Sequence, residues 1–275
     1  MGRGDVTSPL IKTMKRFFML SLCFLLAACN SATADIAPTQ ATVPSELTVA
    51  EYPLKQQPDA EFAFPSFADS VEGNPYTVHE DERANTFDWS MRSCPSGIPM
   101  GMCAKFGADL LAAYEEYNNL GQGHVTVTRN GEKIYKISVG QGSPINGLRG
   151  LWVYDDHWAL ETANVTNRTE GNTIYSDAIG QVTVDGVLLN DQFGYEDAFG
   201  FQTIHGKPFY FFKRDGRINA SYNGVEIQLG YDEIPHFGCC SAAALNPLMY
   251  QNMVTFFARK GETWYYAEIG VFGQP

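Results

Sequence analysis

Residues 234–247 read IPHFGCCSAAALNP, with His236 three positions before the adjacent Cys239 and Cys240. A histidine close to two thiols can do three kinds of chemistry. The thiols can oxidise and cross-link the chain, they can take a soft metal together with the imidazole, or one can become a thiolate nucleophile beside a base. Cys94 and Cys103 are the other candidates for pairing. Closing Cys94 to Cys103 makes a local loop but leaves the strained neighbour pair Cys239–Cys240. Two long-range bridges from Cys94 and Cys103 to Cys239 and Cys240 avoid that strain, and this pairing is the expected one. The metal reading draws on Met100, Met102, Cys103 and His236. It lacks a Cys-x-x-Cys pair, so no metal site and no cofactor is expected.

A second histidine extends the nucleophile reading. Ile204-His205-Gly206 followed by His236–Cys240 is similar to the paired signatures of L,D-transpeptidases, exported enzymes that cross-link peptidoglycan through a histidine-activated cysteine. The resemblance implies Cys239 as nucleophile with His236 or His205 as its base. This chain departs from the pattern in placing Phe237 between His236 and the glycine, and Ser241 after the cysteines. Adjacent carboxylates (Asp155-Asp156, Glu196-Asp197, Asp232-Glu233) resemble pairs of glycosidase acids in type. Their positions beside turns fit solvation of turns and strand edges more simply. No phosphate-binding glycine loop, nucleophile elbow or zinc-protease helix motif occurs.

The compartment follows from the N-terminus. Met14-Lys15-Arg16 precedes an apolar run from Phe17 to Ala28, too short to span a membrane and of the length of an export signal. Leu26-Ala27-Ala28-Cys29 closely resembles the lipobox of bacterial lipoproteins. That resemblance implies cleavage before Cys29, acylation of its thiol with palmitate-type chains, and anchoring to the cell membrane or outer membrane, facing the periplasm or the exterior. Met14 is the expected start. The formal net charge is −12; the leader is basic, so the mature part is more acidic still. A nucleic-acid partner is therefore not expected.

The elements that must position these residues are β. Residues 1–28 are assigned to the export signal, 29–65 to a lipid-anchored stalk rich in Ala, Thr, Pro and Ser, and 66–275 to a single domain. Turn dipeptides at Asn130-Gly131, Asp155-Asp156, Asp185-Gly186, His205-Gly206, Asp215-Gly216, Asn223-Gly224 and Lys260-Gly261 separate short alternating runs. They predict a mainly antiparallel, hairpin-built fold, propeller-like, barrel or sandwich. Residues 199–230 should form a four-stranded meander. Phe106, Leu110, Leu111 and Tyr114 recur at helical spacing and predict one principal helix over 103–119, with a shorter helical turn over 241–251. The chain has 18 Phe, 14 Tyr and 4 Trp. Most should be core, and Trp152, Tyr154, Trp158, Trp264 and Tyr265 are the candidates for an exposed platform that stacks a sugar. The expected role is non-catalytic binding of a glycan, peptide or protein partner at the envelope. A cysteine-dependent transpeptidase is the alternative.

Overall fold

The computed structural model describes residues 43–55, 94, 101–142, 145–238 and 246–272. The fold is mainly β and antiparallel. After an N-terminal strand, β1 (Thr48–Pro53), the strands fall into four groups of hairpins in chain order. The first is β2 (Met102–Phe106), β3 (Asp109–Tyr117), β4 (Gln122–Arg129) and β5 (Glu132–Gln141). The second is β6 (Leu148–Tyr154), β7 (His157–Glu170), β8 (Thr173–Val184) and β9 (Val187–Leu188). One parallel bridge, Gly140 to Val165, joins these two groups into an eight-stranded sheet that curls into half a barrel. The only helix among the described residues, α1 (Leu189–Phe193), leads to the third group, β10 (Asp197–Ile204), β11 (Lys207–Arg214), β12 (Arg217–Tyr222) and β13 (Val225–Tyr231). The fourth is β14 (Leu248–Met249), β15 (Met253–Lys260) and β16 (Thr263–Gly270), and β1 completes it by pairing along β16. Within each group the strands follow their sequence order, and β1 adds to the edge of the last.

The turns form where the dipeptides place them. Asn130, Asp185, His205, Asp215 and Asn223 adopt φ of 49–52°, each followed by a glycine also at positive φ. Two consecutive residues at positive φ match the right-handed twist of the flanking strands, and Asn, Asp and Gly adopt that conformation at least cost. Residues 199–230 form the expected meander, β10 to β13.

Four expectations need correction. Residues 103–119 are not a helix. They form β2 and β3, joined by a turn at Gly107 with φ 60°. Their helix-forming residues are overridden by hairpin pairing and by burial: β3 lies between β2 and β4, and Leu111 and Ala113 are buried between the first two groups, with Leu148, Leu151 and Leu160. In the expected helical turn over 241–251, Leu248 and Met249 are a strand, held against Thr255 and Val254; residues 241–245 lie outside the described residues. The disulfide is the local one, Cys94 to Cys103, with Cα atoms 4.9 Å apart. Cys103 is buried on β2, which brings it within bridging distance of Cys94. Cys239 and Cys240 lie outside the described residues, as does Cys29. The stretch read as a stalk also contains β1, because Val49 packs on the core shared by the third and fourth groups.

Apolar side chains collect where consecutive groups meet. Leu111, Val125, Val139, Leu151 and Leu160 lie between the first and second. Trp152, Ala159, Val182, Ala198, Phe201 and Phe212 lie between the second and third. Phe199, Phe211, Ile227, Val254, Phe256 and Ile269 lie between the third and fourth. The aromatic content of the described residues is thus largely core. Phe199, Phe201, Phe209, Phe211, Phe212 and Phe256 are essentially inaccessible, each contributing about 1.5–3 kcal/mol by burial.

Candidate ligand-binding site

Two irregularities in the sheets face each other. Between β6 and β7 the register runs from Leu148–Thr162 to Gly150–Glu161, so Arg149 is the extra residue of a bulge. Between β10 and β11 it runs from Phe199–Phe211 to Gln202–Phe209, so Gly200 and Phe201 together oppose Tyr210. Gly200 has φ 66°, a conformation that a side chain would strain. A bulge frees backbone groups from the ladder and re-aims side chains. Here the freed N–H of Phe201 donates to Glu161 Oε2 at 2.7 Å.

Glu161 is 2 % exposed. Burial pushes its carboxyl above the usual range, opposed by the charge of Arg149, the backbone N–H groups of Phe201 and Gly200, and His236. Arg149 places its guanidinium 4.8 Å from the centre of the Phe237 ring. It has no hydrogen-bond or ion-pair partner among the described residues.

The segment after β13 forms the next wall. His236 lies flat on Phe199, ring centres 3.6 Å apart and planes 4° from parallel. Its Nδ1 donates to the Ile234 carbonyl at 2.7 Å, and its Nε2 stands 3.0 Å from Asp197 Oδ2. Both ring nitrogens therefore face acceptors. The other Asp197 oxygen accepts the Gly180 N–H at 2.7 Å. This contact requires β8 to approach β10 so closely that a Cβ on Gly180 would stand 2.4 Å from the Ala198 carbonyl oxygen. Phe237, at φ 56°, is a bulky residue in the left-handed region. The buried Asn246 amide donates to the carbonyls of Pro235 and Phe257 and accepts the Phe257 N–H, which ties this segment to β15.

Together these residues enclose a cavity of about 340 Å³, within the size range of small-molecule sites. It is walled by Arg149 on β6, Glu161 on β7, Phe199 and Gly200 on β10, and Pro247 to Met249 at β14, so the first strands of three successive groups converge on it. On the other side of His236 and Phe237 is a second hollow of about 480 Å³, bounded by Ile145 and the Ile174–Ala178 stretch of β8.

Of the residues singled out from the sequence, His236 lines the cavity and Asp197 stands behind its imidazole. His205 occupies the exposed turn at the opposite end of β10 from Asp197, so the two histidines are not brought together. Trp152 and Trp158 are buried, in different cores, and Trp264 is buried on β16. Tyr154 is half-buried against Phe201, and burial pushes its hydroxyl up to about 12. Tyr265 is half-buried near Lys260. These five rings form no common exposed platform. Among the paired carboxylates, Glu196, Asp232 and Glu233 bind turn N–H groups or surface cations, and Asp197 alone reaches the cavity wall. Among the described residues no group of three His, Cys, Asp or Glu could hold a metal ion, and no helix is long and apolar enough to cross a membrane.

Sequence reasoning missed Arg149, Glu161 and Asn246. The signal available for Glu161 was a carboxylate inside the otherwise apolar run Trp158-Ala159-Leu160-Glu161. Comparison with family models, with curated proteins and with solved structures returned no match.

Proposed function

We propose that this protein is an exported, lipid-anchored envelope protein whose β domain binds a ligand without transforming it. The leader and the lipobox at Cys29 support the location. The observation that carries the binding role is the cavity, where Arg149 and a buried Glu161 converge between polar and apolar walls on backbone re-aimed by two bulges. The same wall argues against the transpeptidase reading. A base for Cys239 must offer a free ring nitrogen, whereas His236 has one committed to a carbonyl and the other facing Asp197.

Two measurements test this. In a bacterial host fed labelled palmitate, the intact chain should take up label and partition into detergent, and Cys29→Ala should do neither. In a screen of glycans and peptides against the full mature chain, ligands should leave chemically unchanged and should protect the protein thermally. Rapid alkylation of Cys239 at neutral pH, slowed by His236→Ala, would instead support the enzyme.

A further inference from the structure

We infer that the cavity selects ligands bearing a carboxylate, with Arg149 as the anchor and an apolar ligand body against Phe199, Pro247, Leu248 and Met249. This deepens the binding reading and rests on it. The first argument is the state of Arg149. A guanidinium carries five donors in a planar fork that matches a carboxylate. In this structure it lies over the face of Phe237 and makes no hydrogen bond or ion pair among the described residues, so its N–H groups are unused. The second argument is the placement of Glu161. Arg149 and Glu161 line one cavity and stand beside each other on paired strands, yet no ion pair joins them. Glu161 is turned to the backbone N–H groups of the β10 bulge, so its carboxyl is engaged there. Burial also favours its neutral form, which would not repel an anion and could donate to one. The third argument is contrast: the chain is strongly acidic, and Arg149 is the one Arg or Lys in the lining of this cavity, whose other polar side chains, Glu161, His236 and Asn246, are each engaged by protein groups.

A free small acid and the C-terminus of a peptide share this chemistry. The experiment is titration calorimetry on the full mature chain in detergent, with benzoate against benzamide for the first source and N-acetylalanine against its amide for the second. The acid of at least one pair should bind about ten- to a hundredfold more tightly than its amide, the range of a charge-assisted bidentate contact. Arg149→Gln should abolish that preference and Arg149→Lys should keep part of it, with thermal melts showing that both variants fold. Equal affinity for acid and amide, or a preference unchanged in folded Arg149→Gln, overturns the inference. If neither acid binds but a ligand without a carboxylate does, and Met249→Trp blocks it, the carboxylate inference fails and the binding reading stands. If the folded chain takes no ligand of any class, both fail.

Discussion

Among the described residues, Glu161 and Glu226 are each buried beside an arginine, and their surroundings differ. Glu226 receives Arg214 through two hydrogen bonds of 2.9 Å, one to each oxygen, and the Tyr195 hydroxyl at 3.1 Å. Arg214 lies over the rings of Tyr195 and Phe212 and also donates to the Phe193 carbonyl. Both Glu226 oxygens and both terminal Arg214 nitrogens face protein partners, and the cluster joins α1 to the third group. Glu161 has its arginine nearby but unpaired, and a cavity lies between these residues and β14. Saturated pairing locks a structure together, whereas unpaired donors facing a cavity leave hydrogen-bonding capacity for a ligand.

The largest effect should come from breaking the saturated pair. Arg214→Ala leaves Glu226 buried without its cation and should cost about 3–5 kcal/mol in denaturant unfolding. A loss below about 1 kcal/mol would mean that this cluster is no more structural than the cavity. Next is Gly180→Ala, whose new Cβ must displace backbone at β10 and disturb the Asp197 contact; about 1–3 kcal/mol is expected in the same assay. Asn246→Ala removes three hydrogen bonds behind the cavity wall and should cost a similar or smaller amount, about 1–3 kcal/mol.

Glu161→Gln sharpens the comparison through pH. The folded carboxyl is raised, so its stabilising contribution is fully present below the unfolded value near 4.5 and is lost as pH rises through the folded value. The glutamine variant has no such loss. Its melting temperature relative to the parent should therefore climb from pH 4 to pH 8, and a flat difference would contradict a buried, strained acid. The smallest effect is expected at the exposed Arg168–Asp177 pair on the β7–β8 hairpin, where Asp177→Asn should shift stability by no more than about 0.5 kcal/mol.

Much of the fold was legible because hairpin turns are local. Asn-Gly and Asp-Gly dipeptides need no distant partner to adopt positive φ, so the meander from β10 to β13 could be delimited residue by residue. The 103–119 stretch was misread for the converse reason. Alanine, leucine and glutamate favour a helix locally, and only the burial of Leu111 and Ala113 with Leu148, Leu151 and Leu160 of the second group decides otherwise. Little of the site was legible. Arg149 and Glu161 are 12 positions apart and look like ordinary members of two strands. Their roles depend on a one-residue slip in register, which no local pattern encodes.

By itself the sequence determined the turns, the β class, the acidic charge and the expectation of an exported chain lipidated at Cys29, all of which depend on residues close together along the chain. Only the tertiary structure decided that Cys103 pairs with Cys94, that Trp152, Trp158 and Trp264 are core, that β1 closes the last sheet and that two bulges meet across a cavity. Those outcomes depend on which distant strands pack together, a balance of burial and backbone pairing summed over the whole domain.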